Sequence, residues 1–167
     1  VAYMYIENID FYSTNGFTTD NSQNILMEDG TNNITITNCG FKSDYANANR
    51  TNTLIMGDKM GDNISIMGSD FVNGSDGVFI TGGSTHSVTD SKFTGTYLSS
   101  IHFAGASNIE IAYNDISSLS TNIYNGTATD QMGIGIYVSK TSDDLVIENN
   151  IVKSSNSQWP RFGIHIG

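Results

Sequence analysis

An all-β solenoid of about six stacked coils, with three short strands per coil, is the architecture this sequence predicts. Three observations carry it. Helix formers are scarce while Asn, Ser, Thr and Gly abound, and no convincing stretch places apolar residues at i, i+3, i+4 and i+7. One phrase is written nearly twice, "NITITNCGF" over 33–41 and "NISIMGSDF" over 63–71. The five-residue step inside that phrase, from Ile36 to Phe41, recurs from Ile6 to Phe11, Ile66 to Phe71, Val88 to Phe93, Ile111 to Ile116 and Ile147 to Val152. Repetition of this kind marks a stacked architecture whose coils cannot bury their apolar faces alone.

The first strand of each coil ends on the anchor residue, Ile36 in the quoted phrase. Two residues earlier stand Met4, Ile34, Ile64, His86, Ile109 and Leu145. A period of two puts Ile34 and Ile36 inside and Thr35 outside. A bend follows at Asn8, Asn38, Gly68, Asp90, Tyr113 and Asn149. Five of these six are types that tolerate positive φ. Tyr113 departs from the set, so coil five is expected to bend one residue later, at Asn114.

The second strand starts at the Phe column. Phe11, Phe41, Phe71 and Phe93 are expected to stack internally, continued by Ile116 and Val152. Asp70, Lys92 and Asp115 are expected to form an outer column of alternating sign, a surface ion-pair ladder of little individual weight. The third strand family reads "ILM" (25–27), "LIM" (54–56), "VFI" (78–80), "IHF" (101–103), "IYV" (136–138) and "IHI" (164–166). Three strands per repeat, with 22 to 36 residues between anchors, predict a right-handed parallel β-helix. At about 4.8 Å per coil the rod is on the order of 30 Å long.

The 167 residues suffice for one domain spanning 1–167, expected to be a segment of a longer chain because both ends read as strands. The formal charge is −10, with only seven Lys plus Arg. That argues against nucleic acid as a partner, and against a strongly anionic substrate unless Ca²⁺ bridges it. Cys39 is the single cysteine, so no intrachain disulfide is expected. No apolar run approaches eighteen residues, so no membrane span is expected, and no signal-peptide pattern is legible.

The repeated columns resemble the pectate-lyase-like superfamily of right-handed β-helix proteins, over essentially the whole chain. That group includes polysaccharide lyases, hydrolases, mannuronan epimerases and viral tailspikes. The resemblance implies an extracellular, cell-surface or virion location and a polysaccharide or glycan partner. A possible homotrimer of the tailspike kind comes with it. It does not choose between catalysis and recognition, because the repeat encodes stacking.

Loop lengths point to a face. From the Phe column to the first inward residue of the third strand the counts are 14, 13, 7, 8, 20 and 12. Insertions along one edge of a solenoid usually build its binding face, and the superfamily's ligands lie along the strand after those loops. The outward column of that strand is expected to be Leu26, Ile55, Phe79, His102, Tyr137 and His165. It reads as a platform for sugar rings, with Phe79, His102, Tyr137 and His165 as carbohydrate-binding candidates. Trp159, in "SQWPRFG", is a further candidate. The same stripe equally fits burial by a protein partner.

A hydrolase needs two carboxylates flanking the groove. The stripe has none, and the flanking segments offer Asp44, Asp76 and Asp130. A lyase or epimerase would use a base such as Tyr137, His102, Lys140 or Arg161. The leading catalytic candidates are His102, Asp130 and Asp76, in no recognisable motif. His86 is expected to be a buried, hydrogen-bonded structural histidine. His102 and His165 lie about 10 Å apart by coil spacing, too far to share a metal. Asp58 and Asp62 only loosely resemble a Ca²⁺ turn, and no metal or other cofactor is expected. Five N-x-S/T sequons, at Asn33, Asn49, Asn63, Asn73 and Asn125, carry no weight in so Asn-, Ser- and Thr-rich a chain.

Three functions follow as alternatives. The first is a polysaccharide-acting lyase, hydrolase or epimerase. The second is a tailspike, fibre or adhesin module that recognises glycan without catalysis. The third is a purely structural interface solenoid.

Overall fold

The structure, a computed structural model, describes residues 3–13, 23–44, 52–117, 133–140, 143–153 and 162–167. The described residues hold strands, turns and bends and no helix. Coil one comprises β1 (Met4–Glu7), β2 (Asp10–Ser13) and β3 (Ile25–Met27). Coil two comprises β4 (Ile34–Thr37), β5 (Gly40–Ser43) and β6 (Ile55–Gly57). Coil three follows with β7 (Ile64–Met67), β8 (Asp70–Val72) and β9 (Asp76–Thr81), and coil four with β10 (Ser84–Thr89), β11 (Lys92–Thr94) and β12 (Ser99–Ala104). Coil five has β13 (Ser107–Ala112), β14 (Asp115–Ser117) and β15 (Ile134–Ser139). Coil six has β16 (Leu145–Glu148), β17 (Ile151–Val152) and β18 (Phe162–Ile166).

Each strand pairs in parallel with its counterpart one coil away, which gives three six-stranded sheets. The predicted architecture is therefore the observed one. In the first sheet Ile6, Ile36, Ile66, Val88, Ile111 and Ile147 lie in one register. The four middle members are fully buried. Burial of such side chains, at about 25 cal/mol per Å² of apolar surface, is the main force holding one coil to the next.

The aromatic stack forms as expected. Ring centroids are 5.1 Å apart for Phe11 and Phe41, 4.9 Å for Phe41 and Phe71, and 4.4 Å for Phe71 and Phe93, all stacked. Ile116 and Val152 continue the column in register. Gly77 is required beside it: a Cβ there would come within 2.6 Å of both the Phe93 ring and the Ser100 carbonyl oxygen.

The bend column has φ of 56° at Asn8, 51° at Asn38, 59° at Gly68, 49° at Asp90, 59° at Tyr113 and 54° at Asn149. Coil five thus bends at Tyr113, not at Asn114. The reason lies one residue on, where side chains turn inward and join the coils. The Ser91 amide donates to Asn114 Oδ1 at 3.0 Å, the Ser69 amide to Ser91 Oγ at 3.1 Å and the Cys39 amide to Ser69 Oγ at 3.2 Å. The Asn114 amide donates to Asn150 Oδ1 at 3.0 Å. Asn114 Nδ2 also reaches the Val88 carbonyl at 2.9 Å. Asn114 is needed as a buried bridge, because backbone groups at this depth must find partners.

Asp70, Lys92 and Asp115 do align in one register. The expected ion-pair ladder is not closed, however: Asp115 has a buried carboxylate oxygen without a hydrogen-bond partner.

Candidate functional site

The third sheet presents the expected outward column with one correction. The register pairs Leu26 with Met56 and Met56 with Phe79, so Met56 occupies the place assigned to Ile55. Ile55 points inward and is fully buried. The run "LIM" has no polar residue to mark its phase, and the pairing with β9 sets it. From Phe79 the column continues through His102, Tyr137 and His165 as expected.

These four rings form a continuous column, tilted by 41° between Phe79 and His102 and stacked at the other two contacts. Centroids are 4.7 Å apart for Phe79 and His102, 4.3 Å for His102 and Tyr137, and 4.8 Å for Tyr137 and His165. The spacing follows from parallel pairing, which repeats each position at about 4.8 Å. Phe79, Tyr137 and His165 are half-buried, whereas His102 is only 4% exposed. Its Nε2 lies 3.3 Å from Ser139 Oγ. An open platform centred on His102 is therefore not what the structure presents. The accessible part of the stack is at Phe79, Tyr137 and His165, with His102 as the filling between them. The Tyr137 ring separates the two histidines, and no group of three His, Cys, Asp or Glu suited to a metal occurs among the described residues.

Asp76 is not beside the groove. It is the first residue of β9 and fully buried, on the inward face. Its Oδ1 accepts a hydrogen bond from Ser99 Oγ and its Oδ2 one from Thr53 Oγ1 at 3.4 Å. The carboxylate thus joins coils two, three and four from within. Asp44 follows the second sheet and accepts the Tyr12 hydroxyl at 2.6 Å. That bond, with smaller contributions from burial and the Asp44 charge, raises the Tyr12 pKa. Lys42 Nζ sits 5.0 Å from the Tyr12 ring centroid. Lys140 is an exposed turn residue with φ 55°. Asp130, Trp159 and Arg161 lie outside the described residues.

The acidic turns carry structural hydrogen bonds. Asp58 Oδ1 accepts from Thr81 Oγ1 at 2.8 Å, and Asp62 Oδ1 accepts from the Ser84 amide at 3.0 Å and its hydroxyl at 2.8 Å. His86 is 1% exposed and buried as expected. Its Nδ1 accepts the Ile64 amide at 3.3 Å, so Nε2 carries the proton and donates to the Gly82 carbonyl at 3.0 Å. Burial lowers its pKa, opposed by the Gly82 carbonyl and the charge of Asp62.

The inward polar ladder through Ser69, Ser91, Asn114 and Asn150 is missing from the sequence reading. Its signal is present: the residue three after each anchor reads Ile9, Cys39, Ser69, Ser91, Asn114 and Asn150. No helix among the described residues is long and apolar enough to cross a membrane. A family model described as "Right handed beta helix region" matches residues 20–167. No curated protein and no solved structure gives a match to the chain.

Proposed function

Since the chain belongs to the right-handed beta helix family, we propose that it engages polysaccharide along the outer face of its third sheet, by recognition without catalysis. The observation that carries this reading is the column of ring contacts through Phe79, His102, Tyr137 and His165 on one outer face. Rings in register along the outer face present a row of apolar edges, and the hydroxyl and imidazole groups at their rims can hydrogen-bond sugar hydroxyls. Recognition is favoured over hydrolysis, lysis or epimerisation by the chemistry around His102. The outward column itself carries no carboxylate, and Asp76, a candidate acid, faces the core and is held by Ser99 and Thr53. A cell-surface or virion setting fits this role, as in an adhesin or tailspike module.

The test is native affinity electrophoresis of the chain against neutral and acidic polysaccharides, with a parallel assay for released reducing ends or unsaturated products. At least one polymer should retard the chain, and Tyr137→Ala should weaken binding about tenfold. Release of products would replace recognition by catalysis. Absence of both retardation and cleavage across the panel would sink the carbohydrate reading.

The part-exposed rings of Phe79, Tyr137 and His165 on one outer face support a second reading, in which a protein surface covers the column. That reading predicts a homotrimer or other assembly by sedimentation, dispersed by Tyr137→Glu.

A further inference from the structure

The outer face of the first sheet carries a groove with a different chemistry. Strand pairing lines up Tyr5, Thr35, Ser65 and Ser87 in one outward row. A parallel row just before it contains Asn33 and Asn63, and together these rows line a groove of about 440 Å³. Tyr3 and Tyr5 stand at one end, 70% and 72% exposed. Two tyrosines so exposed on a sheet face leave both aromatic surfaces to a partner.

The floor is a hydrogen-bonding lattice. Ser87 Oγ donates to Ser65 Oγ at 3.0 Å. Asn63 Nδ2 donates to Asn33 Oδ1 at 3.0 Å. The hydroxyls of Tyr5 and Thr35 make no hydrogen bond among the described residues. Thr85, also in the lining, is held at φ 61°. A β-branched residue pays a conformational penalty there that Asn or Gly would avoid, so a hydroxyl is kept at this wall against local preference. No lining residue is charged.

We propose that this face is a glycan-contact surface separate from the third sheet, and that it takes a neutral oligosaccharide. The ligand class follows from the lining. Ring faces at Tyr3 and Tyr5 suit the C–H faces of sugars, while repeating hydroxyl and amide groups suit the repeating hydroxyls of a linear chain. A polyanion is disfavoured by a protein of net charge −10 with no cation in the groove. A protein partner would need an apolar centre, which these rows lack. An added β-strand would pair along the edge of β1, whereas Thr35, Ser65 and Ser87 lie on inner strands and offer a ligand their side chains alone.

The test uses the chain in native affinity electrophoresis with galactomannan, mixed-linkage β-glucan and dextran, and polygalacturonate as the charged control. At least one neutral polymer should retard it. Tyr5→Ala should raise the dissociation constant about tenfold, and Thr35→Val, which keeps the side-chain shape, about threefold. Introduced into the Tyr137→Ala background, Tyr5→Ala should produce the same fold loss as in the parent, as expected for two separate surfaces. Thermal midpoints of the variants confirm that they fold. Failure of every neutral polymer to bind would overturn the proposal, as would parent-like binding by both Tyr5→Ala and Thr35→Val. Weakening by Tyr137→Ala alone would overturn it while leaving the third-sheet reading standing.

Discussion

His86 shows how a single side chain ties this fold to pH. Its Nδ1 must stay unprotonated to accept the Ile64 amide, and burial disfavours the charged ring. The folded pKa is therefore below the unfolded one, which lies near 6.5. Stability from this site is complete above about pH 6.5 and falls as pH drops below it, because the unfolded chain then binds the extra proton. Replacement by Gln, which can both accept and donate, should remove that slope. Urea unfolding between about pH 4.5 and 7.5 should show the stability advantage of the parent over His86→Gln shrinking as pH falls. A constant difference would refute the assignment. Tyr113 offers a second check. At φ 59° and 55% exposed, it pays the left-handed penalty with little burial in return. Tyr113→Asn should raise stability by about 1 kcal/mol, read as a higher urea midpoint at unchanged m. The bend was misjudged at this residue because residue type reports only a cost. The column position is set by Asn114, whose side chain must reach Val88 and Asn150.

The strands were legible wherever polar and apolar residues alternate. "NITITNCGF" and "NISIMGSDF" declare their inward faces, and the structure keeps them. "LIM" at 54–56 does not alternate, so Ile55 and Met56 could be told apart only by the neighbouring strand. Asp76 was misleading for a related reason. A carboxylate after "GS" reads as loop, yet here it starts a strand and is satisfied by Ser99 and Thr53 from adjacent coils. The Phe column is the strongest element-scale feature. Phe71 is fully enclosed between Phe41 and Phe93. Phe71→Ala should cost about 3–5 kcal/mol, measurable by chemical denaturation. A loss below about 1 kcal/mol would mean that the coils collapse to refill the space.

At the scale of the whole molecule, the rod presents faces of unlike chemistry. The third sheet shows stacked rings, and the first shows hydroxyls and amides beneath two tyrosines. The columns that build both faces follow from the repeat. The long segments that precede the strands of coils five and six in that sheet, and contain Asp130 and Trp159, obey no period in the sequence and lie outside the described residues. A net charge of −10 adds a prediction for either proposed glycan surface. Binding of a neutral polymer should change by less than about twofold between 0.05 and 0.5 M salt, since no charge pairing is screened. A steep salt dependence in titration would instead indicate a charged ligand.

The in-register stacking also makes the coil a unit of length. Ile66 and Val88 occupy equivalent places one coil apart. Removing residues 67–88 would join Ile66 to Thr89 and return every later residue to its own column. Adding or losing a single residue within a strand would instead turn its inward side chains outward. Such a molecule can be lengthened or shortened by whole turns, about 4.8 Å at a time, so the reach of its outer faces can change in steps while their chemistry stays the same.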